Sequence, residues 1–199
     1  MTGQASAVSQ GHAHAVLRKA TRTLHASLDS SFVPSNLASR SGYVRYLLMN
    51  CPCTWIEPAL TDAGIHRLLP DWDQRQRQLA LAADLEALEV TPDPPRARII
   101  EADVGTILGW SYVLEGSRLG ARLLLKAVEQ SEDRDVSSAT RFLRQGVGTD
   151  LWGSFKAVLS EIDHDTEAIA KACAAAILAF ECFKDALSSF PGGFRTTAP

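Results

Sequence analysis

Two short stretches carry the residue types that could do chemistry. In "LRKATRTLHASLDS", residues 17–30, Arg18, Arg22 and His25 stand at i, i+4 and i+7. At about 100° per residue this gathers them within about 60° of helix arc. Leu17, Ala20, Leu24 and Leu28 form an apolar stripe at three- and four-residue steps, so Arg22 and His25 border the apolar face rather than oppose it. A histidine at such an edge can send its ring toward a pocket, with cations one and two turns away. Neutral imidazole is a metal ligand, and arginine pairs with carboxylates. The plainer account of the same residues is a hydrogen-bonded packing histidine beside two solvated charges.

The second stretch is "GTILGWSYVLEGSRLG", residues 105–120. Each interior glycine weakens a helix by about 1 kcal/mol relative to alanine, and here there are four. On one continuous helix Gly105, Gly109, Gly116 and Gly120 point at about 0°, 40°, 20° and 60°, with Tyr112 beside them at about −20°. One face therefore lacks side chains. Either a second helix packs closely there, or a flat ligand lies against bare backbone, touched by Tyr112. The stripe alone does not choose. An apolar pocket, a neutral imidazole and cations able to meet carboxylates outside it are together what haem needs, since haem is a flat macrocycle with an iron to ligate and two propionates at one edge.

The elements that must position these residues are helical. Helical periodicity recurs along the 199 residues, while alternating strand patterns do not. The expected helices run from about His12 to Ser31, then through "GYVRYLLMNCPCTWIEPALTDAG" with a cap at Ser39 or Ser41, closed by Gly64 and kinked at Pro52. A third covers about Asp73–Leu88, and a long one runs from about Ile99 to Gln130. Between them, "EVTPDPPRAR" is a loop. "SEDRD" reads as a polar turn and "SSATRFLRQG" as a short helix. Two last helices cover about Thr149–Glu161 and Thr166–Phe190. Six to eight helices make one all-α domain over residues 12–190, with tails at 1–11 and 191–199 expected to be disordered.

Composition narrows the partners. A net charge of −3 without a basic cluster argues against nucleic acid. The longest apolar run, "CAAAILAF", is too short to span a membrane. No secretory leader is apparent at the start, so a cytoplasmic chain with reduced thiols is expected. The spacing Cys51-Pro52-Cys53 is not that of a zinc or redox motif. A Cys-Pro pair can act as a surface haem-sensing ligand, and a buried thiol beside a kink is the simpler account.

The two stretches resemble a known family. "LRKATRTLHASLD" resembles the proximal helix of haem oxygenases and "YVLEGSRLGARLL" their distal helix. The bacterial branch, which includes enzymes that supply biliverdin to bacterial phytochromes, is the nearer pattern. "YVRYLL…IEPAL", "RQLALAADLEAL" and "GTDLWGSFKAVL" extend the resemblance over residues 15–190. The resemblance implies a haem-oxygenase-like helical bundle, with His25 as proximal iron ligand and Gly116 and Gly120 as the distal glycines whose backbone meets the haem. Arg18 and Arg22 would sit near the propionates, with Lys156 a further propionate candidate.

The implied reaction opens haem, as both cofactor and substrate, to biliverdin, carbon monoxide and iron. It uses O2 and electrons from an external ferredoxin or reductase, and a bacterial phytochrome is a candidate recipient of the biliverdin. Some members carry an aspartate after the first distal glycine. Ser117 stands there, beside the proposed oxygen site, and Ala121 follows the second glycine. Ser117 and the Cys51-Pro52-Cys53 kink keep open a non-catalytic haem- or bilin-binding protein of the same fold. A helical module with no ligand is the third possibility. No set of Glu, Asp and His at helical spacing suggests a diiron site.

Overall fold

A computed structural model describes residues 11–32 and 34–189. The expected tails lie outside the described residues, Gly11 excepted. Helix α1 spans His12–Asp29 and is followed by the single turn α2, Pro34–Leu37. Then come α3, Arg40–Met49, α4, Cys53–Asp62, the short α5, Trp72–Arg75, and α6, Gln78–Ala87. A loop leads to α7, Val104–Gly116, and α8, Ala121–Glu129. Two short helices, α9, Arg134–Ser138, and α10, Arg141–Arg144, precede α11, Leu151–Leu159, and the long α12, Thr166–Ser188. The fold is an all-α single-domain bundle, with eight helices of nine residues or more among the described residues.

Helix α7 is the axis of the molecule: every residue from Ile107 to Glu115 is buried. It lies along α12, and Gly105 and Gly109 make that approach possible. A Cβ at either position would collide with the backbone carbonyl of Ala168 or Ala172 on α12. Helix α1 packs on the other side of α12 through Ala13, Leu17 and Thr21. Within the expected α1 stripe Ala20 is exposed, and buried Thr21 replaces it by donating its hydroxyl to the Leu17 carbonyl at 2.8 Å.

Three expected helices break, each for a local reason. The second divides at Asn50–Pro52 into α3 and α4, because Pro52 has no amide hydrogen to continue the ladder. The Ser39 cap holds, its hydroxyl accepting from the Gly42 amide at 3.2 Å, and Gly64 follows α4 in a left-handed conformation at φ 89°. The third divides into α5 and α6 at Gln76–Arg77. There the buried Glu57 carboxylate accepts the amides of Arg77 and Gln78 at 2.8 Å, capping α6 from another element. The long helix starts at Val104, where Asp103 accepts the Thr106 amide, and breaks between Gly116 and Ala121. Gly120 is therefore not on the same helix as the other three glycines. The polar turn at 131–135 also runs into α9, and the short helix expected after it is the pair α9 and α10.

Candidate haem site

A cavity of about 760 Å³ opens where α1 passes the α7–α8 break. That size lies within the range of about 300–1,000 Å³ usual for small-molecule and cofactor sites. Arg18, Arg22 and His25 line it from α1, and Tyr112, Gly116, Ser117 and Gly120 line it from the α7–α8 region. The two stretches singled out in the sequence thus meet in one place. Lys156 does not: it is exposed on α11, one turn beyond the lining residue Trp152. Cys51 and Cys53 are buried, and burial pushes both thiols up to about 12. They are not presented at the surface, so the Cys-Pro haem-sensing option falls.

The His25 side chain is 58% exposed, and its Nδ1 stands 2.8 Å from Asp29 Oδ2, one turn on. This pairing assigns the Nδ1 hydrogen to the Asp29 bond, which leaves Nε2 with the lone pair a metal needs. Phe180 of α12 meets the imidazole edge-on with centroids 5.9 Å apart. Among the described residues, Arg18, Arg22 and Lys156 have no carboxylate partner within 4.0 Å. No three His, Cys, Asp or Glu side chains among the described residues come together as a metal-binding group.

The other wall is bare. A Cβ on Gly116 would find only the Trp152 ring, at 3.8 Å, and one on Gly120 would meet nothing within 4 Å. The cavity is open over both glycines, in contrast to Gly105 and Gly109. Leu119 and Leu123 face it with 62% and 64% of their surface exposed, an apolar expanse suited to a flat, greasy ligand.

Sequence reasoning missed the network that holds this wall. The buried Arg77 guanidinium donates to the Leu114 carbonyl at 3.0 Å and to Ser117 Oγ at 2.7 Å, lying 4.8 Å from the Phe142 ring centroid. Ser117 donates its own hydrogen to Leu114 at 2.8 Å, so both sides of the hydroxyl are engaged. Two residues earlier, buried Glu115 takes Arg75 Nη1 at 2.9 Å and Arg118 Nε at 3.2 Å. Arg75, fully buried, also pairs with Asp71 at 2.7 and 2.8 Å, and that hydrogen bond holds the Asp71 carboxyl below its ordinary value against the cost of burial. Nothing local in the sequence marks these arginines as buried. His14, Trp152 and Phe180 also line the cavity without having been picked out. His14 had a signal: it lies eleven residues before His25, three turns along the same helix face.

The cradle of glycines, the unpaired cations and the available imidazole of His25 fit haem. Comparison with known proteins agrees. The family model for haem oxygenase matches residues 12–189. Haem oxygenase PigA of Pseudomonas aeruginosa is 32% identical over 155 residues, covering 75% of this chain and 78% of that one. The crystal structure of the NO- and CO-bound haem oxygenase from Neisseria meningitidis superposes with a TM-score of 0.67 at 21% identity, over 94% of this chain and 98% of that one, and shares the fold. These relatives reach the family without singling out its phytochrome-associated branch. The chain belongs to the haem oxygenase family, the enzymes that degrade haem.

Proposed function

We propose that this haem oxygenase binds haem between His25 and the Gly116–Gly120 break and opens it to biliverdin, carbon monoxide and iron. O2 is the co-substrate and a ferredoxin or reductase the electron source. The observation that carries the reading is the meeting of an available imidazole and a bared backbone in one cavity, rimmed by unpaired arginines. When bound, haem supplies both the iron that activates O2 and the ring that is cleaved.

The protein's part is to bind, orient and shield. His25 offers Nε2 to the iron, and Asp29 fixes the orientation of the ring through Nδ1. Arg18 and Arg22 meet the propionates, which sets the rotation of the ring in its plane. Tyr112, whose phenol burial pushes up, stays neutral and flanks the same edge. Gly116 and Gly120 let backbone approach the distal face, and Leu119 and Leu123 cover it and exclude water. Ser117 is a positioning residue: tied to Arg77 and Leu114, it fixes the break rather than supplying a mobile proton. Lys156 adds positive potential from outside the lining. Four unpaired thiols suit a cytoplasmic enzyme, and the sequence resemblance alone supports delivery of biliverdin to a bacterial phytochrome.

The test is a single turnover. Protein loaded with haemin and supplied with ferredoxin, its reductase, NADPH and O2 should lose the Soret band and gain the broad red absorption of biliverdin. A stable haem complex that yields no bilin would overturn the catalytic part of the reading.

A further inference from the structure

Beyond the arginines, the end of the cavity far from His25 holds an imidazole with no assigned role. His14 lies eleven residues before His25 on α1, which places it within about 20° of the same direction and about 16.5 Å away along the axis. Its ring lines the cavity, with the Tyr112 ring centroid at 6.2 Å and the Trp152 centroid at 5.6 Å. Among the described residues neither ring nitrogen has a hydrogen-bond partner within 3.5 Å, although the ring is half-buried. With no protein partner among the described residues, this imidazole is available to a ligand in the cavity.

The charges around it specify that ligand. Arg18, one turn on along α1, and Tyr112 of α7 line the cavity with it, and the charge of Lys156 reaches it from α11, outside the lining. The carboxylate at this end of α1, Asp163, is taken up by the Gly11 and Ala13 amides at 2.7 Å each. An imidazole, a phenol and a guanidinium in the lining, with a second cation just outside it and no anion among these groups, make a seat for a carboxylate.

We propose that His14 seats one haem propionate and does so as an imidazolium, so that haem loading takes up a proton. The inference rests on the haem reading above. In the empty protein, burial and then the charges of Lys156 and Arg18 push the His14 imidazole down, so it is neutral at pH 7. A propionate brought between these groups reverses the balance, because an anion at hydrogen-bond distance favours the charged ring. By linkage, a ligand that brings a proton with it binds more weakly as pH rises.

The experiment titrates the intact protein with haemin, following the Soret band between pH 6.5 and 8.5. It is run on the wild type and on His14→Gln, each with haemin and with haemin dimethyl ester, whose propionates carry no charge. For the wild type, haemin affinity should fall with rising pH at a slope approaching tenfold per unit relative to His14→Gln. With the dimethyl ester the wild type and the variant should run parallel. Parallel haemin curves for the two proteins would overturn the proposal while leaving haem binding in place. Absence of any haemin complex in the wild type would overturn the haem reading and the proposal together. Circular dichroism checks that His14→Gln is folded; should it not be, the slope for wild-type haemin against its ester decides, and equal slopes overturn the proposal.

Discussion

In the proposed site, Asp29 decides what kind of ligand His25 is. An imidazole whose Nδ1 is occupied offers a directed Nε2, and losing such an orienting carboxylate typically weakens metal binding by 10- to 100-fold. Both partners are more than half exposed, so Asp29→Ala should leave the fold intact and lower haemin affinity by about tenfold, read by Soret titration beside an unchanged circular dichroism spectrum. Ser117 predicts the opposite pattern. Its oxygen accepts from a buried guanidinium, and Ser117→Ala leaves that donor short of a partner, a loss of about 1–3 kcal/mol measurable by urea denaturation. His25, Arg18 and Arg22 were legible as residues because their spacing puts them on one edge of one helix. Arg77 and Glu115 were not, since their meaning lies in partners 37 to 40 residues away.

At the scale of elements, the glycine stretch divides into two functions that helix geometry alone had merged. Gly105→Ala or Gly109→Ala forces a Cβ into the α12 backbone and should destabilise the protein by at least about 1–3 kcal/mol, with haem affinity falling only as the fold does. Gly116→Ala and Gly120→Ala meet open space, so the apo protein should be as stable as the wild type or up to about 1 kcal/mol more so. Their haem complexes should nonetheless be weaker, because the methyl group stands where the macrocycle lies. Thermal melts of apo and haem-loaded forms of the four variants separate the two pairs. The break after Gly116 had its glycines as a sequence signal, but the break at Gln76–Arg77 had none. It comes from a Glu57 carboxylate that caps α6 across the fold, and such caps are visible only in three dimensions.

For the whole molecule, a long-range link ties down the start of the helix that carries His25. Asp163, 150 residues from Ala13, accepts the amides that begin α1. Burial raises its carboxyl, but the bonds from Ala13 and Gly11 outweigh that and hold it below the ordinary value. A depressed carboxyl contributes stability that is present above its unfolded pKa of about 3.9 and is lost as pH falls through the folded value. Asp163→Asn should therefore melt lower than the wild type at pH 7, and the gap should narrow as pH falls toward 3. The bundle class and the order of its main helices followed from periodicity, while the cavity followed from how α1, α7, α8 and α12 converge, which no local pattern encodes.

The central claim is that haem sits between His25 and the Gly116–Gly120 break, and a haemin titration with an added ligand tests it most directly. Wild-type protein should form a one-to-one complex with a histidine-ligated spectrum, His25→Ala should lose that spectrum, and free imidazole added to the His25→Ala complex should restore it. A histidine-ligated complex that forms equally well in His25→Ala would contradict the account.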